Sequence, residues 1–426
     1  MKKLLSGIFL ILFSAICSFA QRALTLDDCC RIAVENNMQM KYADFAIEQA
    51  ELQVKNSSMS FLPKFSASGG YLYTNKNFLI GISPSLSTTL DIGNACFAGI
   101  ILEQPVYTGG KILSARKMAN VGKTVALLNK KKTIEDVRIE TEEAYWNVIK
   151  AEELNNVSIK YNQLVSELYA NVEKMTKAGM ISNNELLKVR VKLNEAELSM
   201  KRSANSVTLA KMALCHVMGL PLARNIEVSG NIECLPLYKT DCEFSVRKRL
   251  EYKLMSESIN LKQQQIRAVR SDFLPQIGLV AGYNYIDGVK MNGQKLLNDD
   301  VFSIMLAIKI PLFHWGEGYR KLKSAKIEKR KAEILRDEMV GKMKLEMMKN
   351  SSILDEAQLE VELTETALEY AEDSLKESRE CFESGMEKLT DYLDAQVSWQ
   401  KAYYEVISAK TKYNIAKSKY LRSLGR

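Results

Sequence analysis

Apolar positions follow two rhythms along this chain, and each rhythm occurs twice. In the first, Leu154, Val157, Tyr161, Leu164, Leu168 and Met175 fall three and four residues apart, the spacing of a coiled-coil seam. Val361, Leu368, Leu375 and Phe382 repeat every seven residues in a second stretch, with the small residues Thr364, Ala371 and Ser378 between them. That seam is expected to pack closely and to hold weakly. No proline lies between Pro105 and Pro221 or after Pro311. Proline inside a helix costs ~3 kcal/mol or more, so both stretches are predicted as very long helices. Each is broken once by glycine, at Lys177-Ala178-Gly179-Met180 and at Glu383-Ser384-Gly385-Met386. After the first break Ser182 and Glu185 have the spacing of a capping box that starts a new helix. Each stretch therefore reads as helix, tight turn, helix. From Gly110 to Gly179 the first helix would be about 100 Å long.

The second rhythm has period two. Phe65, Ala67, Gly69, Tyr71 and Tyr73 alternate with Ser66, Ser68, Gly70 and Thr74. Cys96, Ala98, Ile100, Leu102, Gln104 and Val106 alternate with Phe97, Gly99, Ile101, Glu103 and Pro105. The second half repeats the pattern in Ile277, Leu279, Ala281, Tyr283 and Tyr285, and again in Phe302, Ile304, Leu306, Ile308, Ile310 and Leu312. One face is apolar and the other small or polar, which predicts strands. Each run is about ten residues, the length of a tilted transmembrane strand, and the Tyr pairs suit an interfacial aromatic girdle.

The two halves superimpose. Pro105 and Pro311, Gly179 and Gly385, and Gly219 and Gly425 are each 206 residues apart. Phe61-Leu-Pro63 returns as Phe273-Leu-Pro275, and Asn37-Met-Gln-Met falls on Arg249-Leu-Glu-Tyr. Such self-similarity marks a duplicated unit. The predicted organisation is a signal peptide over 1–20 and a first repeat over 21–219, with strands at about 64–75 and 95–107 and a hairpin tip near 179. A linker or equatorial segment follows over 220–245. The second repeat covers 246–426, with strands at about 276–287 and 301–313 and a tip near 385. The fold class is mainly α with β: long coiled-coil helices plus four membrane strands in two internal repeats.

The signal assignment rests on Lys2 and Lys3, the apolar run Leu4 to Cys17, and Ser18-Phe19-Ala20 before Gln21. The run is shorter than the ~20 residues of a spanning helix. Cys17 would be a lipid site only with a smaller residue than Ile16 before it. The net charge of +8 over 426 residues is dispersed, with basic and acidic residues alternating, and no aromatic-basic patch points to nucleic acid. Beyond Cys17 the cysteines are Cys29, Cys30, Cys96, Cys215, Cys234, Cys242 and Cys381. Their odd number and irregular spacing do not make a disulfide framework, although Cys234 and Cys242 could pair. The two histidines, His216 and His314, have no metal or triad spacing around them. No enzyme, metal site or cofactor is predicted.

Four strands in lipid cannot leave unpaired edges, and the smallest membrane barrels have about eight. The strands therefore predict a composite, symmetric barrel made by several copies. Two copies would give eight strands, three would give twelve and a lumen. The competing reading is an exported periplasmic coiled-coil adaptor or scaffold without a pore.

Together these segments resemble the TolC-like outer-membrane efflux family over nearly the whole chain beyond the signal. The resemblance is carried by Thr25-Leu-Asp-Asp with Ala33-Val-Glu-Asn-Asn37, the two Phe-Leu-Pro motifs, and Gln104-Pro-Val-Tyr-Thr-Gly-Gly110. It is carried further by Met218-Gly-Leu-Pro221 and Gly385-Met-Glu-Lys-Leu-Thr-Asp-Tyr-Leu-Asp-Ala-Gln396. It implies a homotrimer with one twelve-stranded barrel in outer-membrane lipid and a helical tunnel into the periplasm. It implies two partners, a periplasmic adaptor and an inner-membrane pump of RND, ABC or MFS type, or a type I secretion system. The passive duct itself would need no cofactor. The hairpin tips, at Gly179, Met180, Ser182, Gly385 and Met386, would meet the adaptor. The family's aspartate rings map onto Asp391 and Asp394. The chain departs from the family's lock: Phe382 and Glu387 stand where a tyrosine and an arginine are expected, and Glu185 where the first repeat has an aspartate. The closed state is therefore expected to be held differently.

Overall fold

The computed structural model describes residues 23–425, apart from 76–77, 84–85, 92–93, 231, 233–244, 292–293 and 314. The predicted signal segment, Cys234 and Cys242, His314 and half of the predicted linker lie outside the described residues. The described elements are α1 (Leu26–Asn36), α2 (Met38–Met59), β1 (Lys64–Tyr73), β2 (Phe78–Ser83), β3 (Leu86–Asp91), β4 (Asn94–Tyr107), α3 (Lys111–Lys177) and α4 (Asn183–Val217). After a 3₁₀ turn at Val246–Lys248 come α5 (Leu250–Ser271), β5 (Gln276–Met291), β6 (Gln294–Lys309), α6 (Glu317–Glu383) and α7 (Leu389–Ser423). No described helix is long and apolar enough to cross a membrane.

The long proline-free stretches are helices of 67 residues each, α3 and α6, followed by helices of 35 residues each, α4 and α7. At 1.5 Å per residue the longer pair have a contour of about 100 Å. The chain packs as two compact units.

One unit, Phe45–Leu128 with Lys253–Glu338, carries the sheet. Its long strands are antiparallel neighbours in the order β1-β4-β5-β6. The short β2 and β3 pair with each other, and β3 adds two residues of pairing to the end of β5. This small hairpin was not legible as strands beforehand. The register keeps the period-two faces together: Phe65 lies opposite Leu102, Leu102 opposite Ala281 and Ala281 opposite Ile304. The next row on that face is Ala67, Ile100, Tyr283 and Phe302. Ser66, Ile101, Gly282 and Ser303 form a row of the other face. Because side chains alternate, a one-residue slip would invert every such row. The apolar rows are exposed, with Phe65 71%, Phe302 67% and Ile304 64% accessible. Among the described residues, β1 and β6 end the path of long strands, each with one unpaired edge. β6 stops at Lys309, short of Pro311, which has no amide hydrogen to extend a ladder.

The other unit comprises the chain up to Asp44, Asn129–Tyr252 and from Met339 onward. Its helices lie side by side in the order α4-α3-α7-α6. Ser203 of α4 donates to Asn155 of α3 at 2.9 Å, and Lys211 pairs with Glu152 at 2.8 Å. Ser158 of α3 meets Tyr404 of α7 at 2.6 Å, and Lys419 pairs with Glu143 at 2.7 Å. Lys410 and Lys412 of α7 pair with Glu365 and Glu360 of α6, each at 2.6 Å. α1 starts in a full capping box between Thr25 and Asp28. It buries Cys29 and Ala33 against Val137, Tyr145 and Val148 of α3 and Leu214 and Met218 at the end of α4. The preceding chain forms a parallel bridge from Leu24 to Val228.

Candidate functional site: the hairpin tips

Both tips are built by the same local rule. At the first, Gly179 takes φ +76°, Met180 N–H donates to Met175 C=O at 2.9 Å, and Gly179 N–H donates to Thr176 C=O at 3.0 Å. At the second, Gly385 takes φ +75°, and Met386 and Gly385 donate to Cys381 and Phe382 at 2.9 and 3.0 Å. These are Schellman caps, in which a left-handed glycine satisfies the last carbonyls of the helix. Both caps present a methionine to solvent: Met180 is 73% and Met386 78% accessible.

The restarts differ. Ser182 accepts from Glu185 N–H at 3.4 Å, so the hydroxyl half of the expected capping box is present. Glu185 does not complete it: its carboxylate pairs with Lys188 at 2.8 Å along its own helix. In the second repeat Lys388 occupies the cap position and makes no side-chain cap. The restart of α7 relies instead on packing of Leu389, Tyr392 and Leu393.

Phe382 lies in that packing. It is buried and stacks on Tyr392, with ring centroids 5.4 Å apart and planes 17° from parallel. Leu168 and Val172 of α3 and Val189 of α4 complete the cluster, so it joins both hairpins. Asp391 and Asp394 are exposed, one turn apart, on the face of α7 away from this cluster. Thr390 donates to Asp391 at 3.2 Å. Glu387 is half-buried in the turn. A groove of about 260 Å³ runs beside the cluster, lined among others by Asn171, Met175, Arg379 and Glu383, and Arg379 donates to Glu383 at 3.1 Å.

Two residues with structural weight carried no role in the sequence reading. Tyr392 supplies the stacking partner of Phe382. Gln396 is fully buried. Its signal is visible afterwards: in the run Leu389, Tyr392, Gln396, Trp399 it occupies a seam position that calls for an apolar side chain.

Burial pushes the Cys29 thiol up to about 12, and burial likewise pushes Cys30 up to about 11. Neither is a nucleophile at neutral pH. Among the described residues, no group of His, Cys, Asp and Glu is arranged to hold a metal ion.

A sheet with two free edges and an exposed apolar face, and a unit of four long helices ending in paired tips, define the protomer fold of outer-membrane channels. The sequence model of the outer membrane efflux protein family matches residues 256–426. The fold matches the Campylobacter jejuni CmeC outer membrane channel with a TM-score of 0.77 at 19% identity, covering 94% of this chain and 85% of that one. Cobalt-zinc-cadmium resistance protein CzcC of Cupriavidus metallidurans is 24% identical over 297 residues, 68% of each chain. Proteases secretion protein PrtF of Dickeya chrysanthemi is 18% identical over 411 residues, 92% of this chain and 86% of that one.

Proposed function

We propose that this protein is the outer-membrane exit duct of a tripartite efflux or secretion system. It would conduct cargo passively from a periplasmic adaptor and an inner-membrane pump to the exterior. The observation that carries the reading is the sheet. Its apolar rows face outward, and its two free edges satisfy their backbone groups in lipid only by pairing with further copies. β1 and β6 of neighbouring copies would pair antiparallel, and three copies close twelve strands around a lumen.

The helices support the same ring. α4 and α6 are the outer members of their row, and both keep exposed apolar stripes: Leu187, Val191 and Leu198 on α4, and Leu359, Leu363 and Tyr370 on α6. Their charges are complementary. α4 carries six basic against three acidic residues. α6 from Ile353 onward carries eleven acidic against two basic. A head-to-tail contact of α4 with the next copy's α6 repeats until the ring closes. The names of the two relatives point to different cargoes, metal ions and proteases, as expected where the duct itself selects little.

The mass of the detergent-extracted protein tests this reading. Light scattering with the detergent subtracted is expected to give a trimer from the outer-membrane fraction. A monomer in the soluble periplasmic fraction would overturn it and favour the pore-free scaffold. The sheet makes its own prediction. Ile304→Arg places a charge on the lipid-facing row, at a cost of about 2–4 kcal/mol near the bilayer midplane. Trimer recovered from the membrane should fall severalfold, whereas Ser303→Arg on the other face should insert normally.

The tips are the proposed adaptor-facing end and aperture. Gly179, Met180, Ser182, Gly385 and Met386 form the docking surface, with the exposed methionines as adaptable apolar contacts. Asp391 and Asp394, repeated threefold, place six carboxylates around a narrow opening and favour cations. Glu185 and Glu387 add to that charge. Phe382, without a hydroxyl to bond an aspartate, holds the tip through stacking instead. Asp391→Ala with Asp394→Ala is expected to raise single-channel conductance and weaken cation selectivity; unchanged values for both would remove the pair from the aperture.

A further inference from the structure

The two repeats differ at one turn. Where β4 meets α3 the first repeat has Gly109-Gly110, and both glycines take left-handed backbone, φ +63° and +87°. The same place in the second repeat, 206 residues on, holds Trp315-Gly316. Gly316 has φ +74°, and Trp315 keeps the left-handed form at φ +50°. Trp315 is the one non-glycine residue with positive φ among those described. For a bulky side chain that conformation is unfavourable. In the first repeat space also demands glycine: a Cβ at Gly109 would lie 2.8 Å from Leu274 Cβ and 2.8 Å from the Ser271 carbonyl oxygen. Trp315 meets no such wall. It is 82% accessible, and its carbonyl oxygen accepts from Arg320 Nη2 at 3.0 Å.

A strained backbone that presents a large apolar ring to the outside needs a gain made outside this chain. Leu312 and Trp315 are the two most exposed large apolar residues described, at 91% and 82%. Phe313 is also exposed, and its ring sits edge-on to Trp315 with centroids 5.1 Å apart. These residues continue the exposed outward row Phe302, Ile304, Leu306, Ile308 and Ile310. At a rise of ~3.3 Å per residue and a tilt of ~45°, Phe302 to Leu312 stands about 23 Å high, close to the ~25 Å apolar band of a membrane barrel. Trp315 therefore falls just beyond the band, at headgroup depth, where indole rings are favoured. Positive charge begins at the same level. Over Glu317–Lys326 α6 carries Arg320, Lys321, Lys323 and Lys326 against the single acid Glu317. Glu317 is taken by Lys321 at 2.5 Å, while Arg320 and Lys323 are exposed.

We propose that Leu312, Phe313 and Trp315, with Arg320 and Lys323, form a phospholipid anchor in the periplasmic leaflet of the outer membrane, one per copy, where barrel strand becomes tunnel helix. The rings lie among the glycerol groups and upper acyl carbons, and the two cations take lipid phosphates. Transfer of the indole into the interface offsets the strained turn, which in water would favour glycine. The first repeat keeps the turn and lacks the anchor, because Leu274 and Ser271 leave no room beside Gly109. The inference rests on the channel reading above and adds the lipid contacts that fix the height of the barrel–tunnel junction.

Tryptophan fluorescence of the trimer in vesicles of phosphatidylglycerol and phosphatidylethanolamine tests it. The other two tryptophans, Trp146 and Trp399, are half-buried and buried in the helical unit, so the emission lost in Trp315→Phe is that of Trp315. This emission is expected to be quenched severalfold by phospholipid brominated high on the acyl chains, less by bromines near the chain ends, and to be spared by aqueous acrylamide. Quenching by acrylamide alone would put the ring in water, quenching by neither would put it against a neighbouring copy, and strongest quenching from the chain ends would put it in the hydrocarbon core. Each of these overturns the anchor and leaves the channel reading standing. Trp315→Gly gives a second readout, because it relaxes the turn. The vesicle-borne trimer of this variant is expected to dissociate several degrees below wild type. A midpoint equal to or above wild type would make Trp315 a turn residue only and overturn the proposal. A wild-type protein that does not enter vesicles overturns the channel reading, and this proposal with it.

Discussion

Gly219→Val is expected to abolish most of the folded protein, although residue 219 touches neither lumen nor lipid in the proposed duct. Gly219 caps α4 with φ +69°. Leu220 N–H donates to Cys215 C=O at 2.9 Å and Gly219 N–H to His216 C=O at 3.0 Å. A left-handed backbone costs a branched side chain roughly 1–2 kcal/mol. The surroundings add more. A Cβ at 219 would lie 2.5 Å from the carbonyl oxygen of Asn36 and 3.1 Å from the amide nitrogen of Asn37. Those atoms are backbone, at the joint of α1 and α2, and cannot rotate away. Relief would have to move the joint, and Asn37 holds it: its buried side-chain amide donates to Val217 C=O at 2.7 Å, and its carbonyl oxygen accepts from Gln39 N–H at 2.7 Å. Next to it, Met218 is fully buried in the cluster of Cys29, Ala33 and Leu214. A loss of about 4 kcal/mol or more is expected, the range reached when backbone strain and core disruption combine. Outer-membrane trimer, quantified by immunoblot without boiling, should fall to background. Gly179→Ala is the control. Its φ is +76°, but nothing lies within 4 Å of the added Cβ, so trimer yield should stay within about twofold of wild type, the penalty being only ~1 kcal/mol of backbone strain. Equal yields for the two variants would show that the α1–α2 joint is not tightly held.

The contrast shows which parts of the protein could be read in advance. Helices, tips and long strands follow from periodicity and from Gly and Pro placement, which are local properties. Gly179, Gly219 and Gly385 all announce a helix end. Only packing distinguishes Gly219, which abuts backbone, from the other two, which abut solvent. The same holds at the aperture. Asp391 and Asp394 could be placed on one helix face from their spacing. The fate of Phe382 could not, because its partner Tyr392 reaches it across a turn whose register depends on the Schellman cap. Glu185 fits a capping box in sequence, but Lys188 three residues on competes for its carboxylate and has it. The β2–β3 hairpin has no clean alternation, and its pairing with β5 covers only Leu90 and Asp91. Gln396 stood inside a motif that was read for its aspartates. Its burial is a property of the helix row and not of the motif.

Arg249→Met is the other substitution with a large expected effect, and its pH dependence identifies the cause. Arg249 occupies in the second repeat the place of Asn37 in the first, at the entry to α5. Its side chain is only 5% accessible. Nε donates to Glu251 at 3.2 Å and Nη2 at 3.3 Å, while Nη1 lies 2.8 Å from the carboxylate of Glu346. Burial pushes the Glu251 carboxyl up, but the hydrogen bond and charge of Arg249 outweigh it and hold the carboxyl below its ordinary 4.5. Glu135 stands nearby with its carboxyl pushed up, first by burial and then by the charge of Glu251. Removing Arg249 leaves Glu251 part-buried beside Glu135 with Arg422 as its weaker remaining cation, and breaking such a pair costs up to about 3–5 kcal/mol. The sign of the pH effect should invert. In the wild type Glu251 binds fewer protons folded than unfolded around pH 4.5. Its contribution is present above that value and lost as pH falls through the lower folded one. In Arg249→Met the same carboxyl is desolvated with only the weaker charge of Arg422 and a backbone hydrogen bond to offset it, so its folded value rises and acidification relieves the penalty. The thermal midpoint of the variant, followed by circular dichroism in detergent, is expected to lie well below wild type at pH 8 and to approach it at pH 5. Adding Glu251→Leu should recover much of the loss at pH 8, because an apolar pair replaces the stranded charge. A deficit that is the same at both pH values and is not recovered by the second substitution would assign Arg249 a packing role along its aliphatic stem, in place of the electrostatic one.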